Sequence, residues 1–405
     1  MSGSLARPAL ILGLLSCIGP FAIDMYLPAM PVIGDSLGVS AQVMQSTITA
    51  YFASFGIAQM FYGPWADQSG RKIPLYAGIG MFVLGTILCL TATSATGLIA
   101  GRFVQGLGGA ALGVVPRAIV RDMMTGAEAT RMMSMLFLVF SVSPMLAPLV
   151  GSALLGITGW RGIFAALLVA SVASLALLAF AQPETLAPGN RRPFKLGFLL
   201  KGCAELFMDR SFLLLTFIGA FGFGSFFIFL AAASYVYQQG FGLSSTGFSL
   251  AFAVNAMAFI GASQGAGKAT QRFGAMRMLK WASFGFALCA CTLFALALAG
   301  MVNLWVCIVG LALGNACLGL IIPSTMVMAL DDQGDKAGLA SSLGGTMQML
   351  TGGVMVVILG PWLGASATPM IGGIAFAAVV TLILTLMVAR RMPVMTEAAQ
   401  SSEAV

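Results

Sequence analysis

Long apolar runs alternate with short polar interruptions from one end of the chain to the other, and no polar stretch is long enough to form a separate water-facing domain. Each run is about 20 residues or slightly more, the length a helix needs to cross a hydrocarbon core roughly 30 Å thick. Twelve spans are predicted, near residues 8–31, 42–64, 73–93, 97–120, 132–156, 162–181, 211–236, 246–267, 278–299, 302–327, 338–361 and 368–389. The first run sits where a secretion signal would, but it is long, carries Asp24, Pro28 and Pro31, and lacks a small-residue cleavage site. It is expected to be retained as a span.

Composition agrees with the pattern. Fifty-nine per cent of the 405 residues are hydrophobic and 8% are charged, against about 25% charged in soluble domains. A water-soluble protein is excluded, and the fold class expected is an all-α membrane protein with the bilayer as its partner.

Basic residues orient the spans, because cytoplasmic loops retain Lys and Arg. With the N-terminus inside, the cytoplasmic segments hold Arg7; Arg71 and Lys72; Arg117, Arg121 and Arg131; Arg191, Arg192, Lys195, Lys201 and Arg210; Lys268, Arg272, Arg277 and Lys280; Lys336; Arg390 and Arg391. Only Arg161 falls outside, and Arg102 lies within a span. Both termini are therefore expected in the cytoplasm. The formal charge of +7 needs no nucleic-acid partner, since these residues face an anionic inner leaflet. Seven cysteines with no C-x-x-C pair, in a chain without histidine, supply no metal set. No metal and no cofactor are expected.

The longest polar interruption, 182–210, contains Pro183, Pro188, Gly189, Pro193 and five basic residues. It divides the chain into 1–181 and 211–405, six spans each, joined by a cytoplasmic linker. Transporters built from internal repeats have this arrangement, with substrate held where the repeats meet. A trace of the repeat survives in the loops. Between spans 2 and 3 runs Gly63-Pro64-Trp65-Ala66-Asp67-Gln68-Ser69-Gly70-Arg71-Lys72; between spans 8 and 9, Gly267 and Gly274 keep the same spacing, but Gln271 stands where the first copy has Asp67.

A carboxylate in hydrocarbon costs several kcal/mol unless it is functional or paired. Of the thirteen acids, only Asp24 falls well inside a predicted span, about seven residues from its outer end. Arg102 lies at a similar depth in span 4. A carboxylate that alternates between water and an arginine partner can take up and return a proton, and in a chain without histidine Asp24 is the intramembrane group suited to that work. The alternative for Asp24 is a purely structural tie between helices, and for Arg102 a side chain snorkelling to the interface.

Other candidates follow from position. Asp67, Arg71 and Asp122, with Gly63 and Gly70 permitting a tight turn, form a charge cluster on the cytoplasmic face that either breaks and remakes as a gate or serves as a static anchor. Pro144, Pro148 and Gly151 recur on one face of span 5 and favour bending or close helix approach, in gating or in ordinary packing. Tyr51, Gln59, Gln105, Asn255, Asn315 and Gln348 are polar side chains within spans that line a cavity or join helices.

Three of these segments resemble a known family over nearly the whole chain. Gly63 to Lys72 is similar to the major facilitator superfamily signature G-x-x-x-D-x-x-G-R-[RK], Arg102-Phe103-Val104-Gln105-Gly106 to its span-4 motif R-x-x-Q-G, and Pro144 to Gly151 to the span-5 motif of antiporters. Asp24-Met25-Tyr26-Leu27-Pro28-Ala29-Met30-Pro31 and Gly338 to Gln348 resemble segments of the Bcr/CflA drug-resistance transporters. The resemblance implies the major facilitator fold and a drug:proton antiporter of the bacterial inner membrane, exporting compounds such as bicyclomycin or chloramphenicol-like antibiotics. It places the proton-coupling residues on Asp24 and Arg102. Candidate substrate contacts are Asp24, Tyr26, Tyr51, Arg102, Asn255, Asn315 and Gln348. Some related exporters carry a second acid two turns earlier in span 1, where this chain has Ser16, which counts against efficient export of dications. The expected partners are protons and a small-molecule drug, and the chain is expected to act as a monomer and not as an enzyme. The competing reading is an uptake or export carrier for a small metabolite on the same fold.

Overall fold

The computed structural model describes residues 3–124, 126–191 and 196–402, and no strand occurs among them. The linker cations Arg192 and Lys195 lie outside the described residues. Ten stretches are long and apolar enough to cross a membrane. One of them is two helices: α6 (Gly126–Phe180) breaks at Gly159, whose φ of 71° and ψ of −177° are not helical. A further helix, α3 (Ala41–Ser69), has the length but is more polar than the ten. The described helices thus supply the twelve predicted spans.

The chain opens with α1 (Gly3–Asp24), a single 3-10 turn over Leu27–Ala29, and α2 (Met30–Leu37). Pro28 and Pro31 each sit in the first turn of the element they open, where a missing N–H costs no hydrogen bond. The prolines therefore interrupt the helix without ending the span, which continues to Leu37 instead of stopping near residue 31. Asp24 consequently lies deeper than the expected seven residues from the span's end.

There follow α4 (Lys72–Leu90), α5 (Ala95–Met123), α7 (Leu196–Met208), α8 (Arg210–Tyr235), α9 (Ser245–Phe273), α10 (Ala275–Leu298), α11 (Leu304–Asp331), α12 (Ala337–Leu359) and α13 (Ala367–Ser402). A short π-helical turn, Val236–Gly240, closes α8.

Two compact units result. The first comprises Met1–Leu196, Leu230–Ala253 and Val356–Ser366. Small residues set its packing, as is usual where no hydrophobic force drives helices together in lipid: Gly78 and Gly85 of α4 meet the backbone of α5, and Gly106 of α5 meets the Tyr51 carbonyl of α3. The break in span 1 explains why parts of the later sequence belong here. Ser234 Oγ donates to the Leu27 carbonyl at 2.6 Å, Gln238 Nε2 to that of Pro28 at 3.0 Å, and Tyr235 OH to that of Met30 at 3.3 Å. Gln45 Nε2 donates to the Leu363 carbonyl at 3.3 Å, and Ser152 and Ser249 share a hydroxyl bond of 2.7 Å.

The second unit comprises Gly197–Phe229, Val254–Met355 and Ala367–Val405. Buried pairs join its helices: Ser283 with Thr385 at 3.0 Å and Asn315 Nδ2 with Asn255 Oδ1 at 3.1 Å. At the start of α8, Gln333 Nε2 donates to Asp209 at 2.8 Å, and Lys336 pairs with Glu205.

Candidate functional site

The polar centre of the first unit begins with the end of α1. Helix termini leave main-chain carbonyls without partners. Here Met25 N bonds the Phe21 carbonyl at 3.0 Å and Tyr26 N slips to that of Ile23 at 3.3 Å, which leaves the Ala22 carbonyl without the amide that would have satisfied it.

Helix α5 brings the partner. Ser94 caps its start, accepting from Gly97 N at 3.2 Å, and two turns later Arg102 is fully buried. Its Nη1 donates to the orphaned Ala22 carbonyl at 3.0 Å and to Gln105 Oε1 at 2.6 Å. Gln105, three residues on and so on the same helix face, passes the chain of bonds to Thr86 Oγ1 at 2.9 Å, and Thr86 to the Phe82 carbonyl at 2.7 Å. The guanidinium carbon lies 4.8 Å from the Tyr26 ring centroid and 4.5 Å from that of Tyr51, close enough for the ring faces to offset part of the loss of hydration. Both tyrosines are themselves held, Tyr26 by Thr47 at 2.7 Å and Tyr51 by the Gly19 carbonyl at 3.3 Å.

Two features of this centre bear on its chemistry. Arg102 Nε and Nη2 are buried without a hydrogen-bond partner. Asp24, 5% exposed, is in none of the ion pairs among the described residues. The structure therefore brings Asp24, Tyr26, Tyr51 and Arg102 into one region but does not pair the acid with the arginine; the arginine is occupied by a carbonyl and an amide. Snorkelling is ruled out for Arg102 by its complete burial.

The candidates around the loop between α3 and α4 also assemble. Arg71 is bidentate on Asp122, with Nε to Oδ2 at 2.7 Å and Nη2 to Oδ1 at 3.0 Å, while Nη1 reaches Asp67 at 2.6 Å. Gly70 makes the turn, with φ of 94°, a left-handed conformation that favours glycine. Gly63 is not in the turn as expected; it lies inside α3, next to Pro64. The duplicate loop repeats the backbone, with Gly274 at φ 81°, but its basic residues enter no ion pair among the described residues.

Pro144, Pro148 and Gly151 lie elsewhere, on α6 beside the break in span 1. A Cβ on Gly151 would run into the Met25 carbonyl oxygen, so the small residue permits the close approach. The Pro148 carbonyl accepts from Ser249 Oγ at 2.9 Å. Gln59 lies in the first unit, its Nε2 buried without a hydrogen-bond partner, and Asn255, Asn315 and Gln348 belong to the second. Asn315 borders a shallow recess with Ser225 and Phe229, and Gln348 borders another with Thr216, Thr325 and Ser341. Thr86 and Thr185 were not legible as partners of these clusters; only the spacing of Gln105 from Arg102 gave a local signal.

A family model described as the Major Facilitator Superfamily matches residues 12–356. The chain belongs to the major facilitator superfamily. It is thus a multi-pass membrane transporter and not an enzyme. Among its relatives, the Bicyclomycin resistance protein homolog of Haemophilus influenzae is 31% identical over 89% of this chain and 91% of its own. Multidrug resistance protein D of Escherichia coli is 32% identical over 85% and 86%. The Uncharacterized MFS-type transporter YdgK of Bacillus subtilis is 33% identical over 87% and 88%. Among solved structures, a POT family transporter in complex with 5-aminolevulinic acid superposes with a TM-score of 0.74 over 96% of this chain and 97% of its own, at 14% identity, a likeness of fold alone.

Proposed function

We propose that this major facilitator protein is a proton-coupled exporter of small, neutral or weakly polar drugs in the bacterial inner membrane, working as a monomer by alternating access. The observation that carries the reading is a buried Asp24 that enters no ion pair among the described residues, two residues from the carbonyl that holds Arg102, whose Nε and Nη2 have no partner. A carboxyl in that position is the group to carry the proton, and the two idle donors of Arg102 are the groups to meet a polar substituent of the drug. Substrate and proton then compete at one centre, so that each favours release of the other. Relatives named for bicyclomycin and multidrug resistance support the substrate class. The absence of an acid at Ser16 argues for neutral compounds over dications.

The orientation proposed puts both termini and the Asp67–Arg71–Asp122 cluster in the cytoplasm. The bonds from Ser234, Tyr235 and Gln238 to the carbonyls of Leu27, Met30 and Pro28 then belong to the outer face, where they act as a seal. Asn255, Asn315 and Gln348 are proposed as further substrate contacts, and Pro144, Pro148 and Gly151 as the flexible part of the gate.

Inverted membrane vesicles, acidified inside and supplied from the medium with a bicyclomycin- or chloramphenicol-type compound, test the reading. Wild-type protein should accumulate drug in exchange for luminal protons, and Asp24→Asn should abolish accumulation while inserting normally. Full accumulation by Asp24→Asn would sink the mechanism. Proton flow in the same direction as substrate would instead favour the uptake carrier.

A further inference from the structure

The linker between the sequence halves is docked at its start. After α6 ends, the amides of Ala181 and Gln182 both bond the Leu177 carbonyl, at 2.9 and 3.2 Å, and the chain reaches Glu184 beside the start of α4. One carboxylate there collects four backbone amides. Its Oε1 accepts from Arg71 N at 2.9 Å, Thr185 N at 2.9 Å and Leu186 N at 3.0 Å, and its Oε2 accepts from Lys72 N at 3.1 Å. The next residue joins the charge cluster itself, since Thr185 Oγ1 donates at 3.0 Å to the same Asp122 Oδ2 that takes Arg71 Nε.

Gly70 supplies an independent sign that the seat is built. A Cβ there would stand 2.6 Å from Glu184 Oε2 and 3.1 Å from Arg191 Nη2, so a side chain is excluded by the occupant as well as by the φ of 94°. Hydrogen bonds to a charged carboxylate are roughly twice as strong as neutral ones. Several on one anchor outweigh the modest loop entropy of a short tether.

We propose that Glu184 is a positioning residue of the Asp67–Arg71–Asp122 cluster: it clamps the linker onto the first unit and fixes the backbone of Arg71 and Lys72, so that the Arg71 fork stays bidentate on Asp122. The clamp stands on its own geometry; only its consequence for transport rests on the cluster being a gate. Movement of the linker is then felt at Arg71 through the amides of residues 71 and 72 and through the shared oxygen of Asp122.

Limited trypsinolysis of the full chain in detergent, followed by mass spectrometry of the cut after Arg191, tests the clamp without reference to any drug. Cleavage of a transiently opened segment tracks the open population, so Glu184→Ala should be cut about fivefold or more faster than wild type. Glu184→Asp, with the charge kept and the reach shortened, should recover part of the protection. Thr185→Val, which removes a single hydroxyl, should give a smaller increase with an unchanged melting profile. Gly70→Ala should accelerate cutting in the wild-type background and add little on top of Glu184→Ala, because both expel the same carboxylate. Cutting at the wild-type rate in both Glu184→Ala and Thr185→Val overturns the proposal, as does an acceleration by Gly70→Ala that is undiminished in the Glu184→Ala background.

Discussion

Arg102 gives its Nη1 to the carbonyl of Ala22 at 3.0 Å, while the carboxylate of Asp24, two residues further along, goes without an ion pair. The cation holds the backbone of span 1 two residues from the acid.

Gln105 sets that anchoring. Gln105→Leu removes an acceptor from a fully buried guanidinium that already has two unpaired nitrogens. Stripping a buried donor of its partner costs about 1–3 kcal/mol. A clear fall in melting temperature in detergent is expected, together with a loss of transport. Thr86→Val, which removes the next bond in the chain, should cost less, on the order of 0.6 kcal/mol for an average interhelical bond in a membrane protein. An unchanged melting temperature for Gln105→Leu would contradict the anchoring role.

Gly151 and Gly156 lie on the same helix and make a controlled pair. Gly151→Ala drives a methyl into the Met25 carbonyl, whereas a Cβ on Gly156 meets nothing within 4 Å. Overpacking of a close contact costs roughly 1–3 kcal/mol. Gly151→Ala should lower both melting temperature and transport, and Gly156→Ala should be close to neutral in the same assays.

Within the charge cluster the two acids should differ. The Asp122 side chain is 15% exposed and takes both prongs of Arg71, whereas that of Asp67 is 53% exposed and takes one nitrogen. Solvent-exposed pairs are worth about 0–1 kcal/mol. Asp122→Asn should therefore impair transport more than Asp67→Asn, and Arg71→Lys, which keeps the charge but loses the fork, should behave like Asp122→Asn. Equal effects of the two acid substitutions on transport rate would count against a bidentate anchor.

The linker clamp carries a pH dependence. Burial works against ionisation of Glu184, but its bonds to the amides of Arg71, Leu186, Lys72 and Thr185 outweigh it and hold the carboxyl below its ordinary value of 4.5. A lowered carboxyl pKa contributes stability that is fully present above the ordinary value and is lost as pH falls through the lowered one. Protection of the Arg191 site should thus be constant from neutral pH down to about 5 and disappear only in stronger acid. Loss of protection between pH 7 and 6 would point to another titrating group.

Much of this protein was legible one residue at a time. The twelve spans follow from the length of the apolar runs, because a bilayer imposes that length wherever the chain crosses it. The isolation of Asp24 and Arg102 in apolar surroundings was equally plain, since a charge in hydrocarbon is conspicuous whatever the fold. The turn at Gly70 and its echo at Gly274 could be read from spacing, as backbone conformation there is a local matter.

Tertiary structure decided who partners whom. The apolar run of span 1 was expected to end near residue 31, yet the helix restarts and runs to Leu37, because a proline in a first turn sacrifices no bond. The break is what frees the Ala22 carbonyl, and that carbonyl, not Asp24, receives Arg102. Glu184 is one of several acids in a polar linker, with nothing in its neighbours to mark it; its four amides include two from residues more than a hundred positions earlier. Hydrogen bonds of that kind depend on where folded backbone leaves unpaired groups, a property of the assembled helices and not of any stretch of sequence.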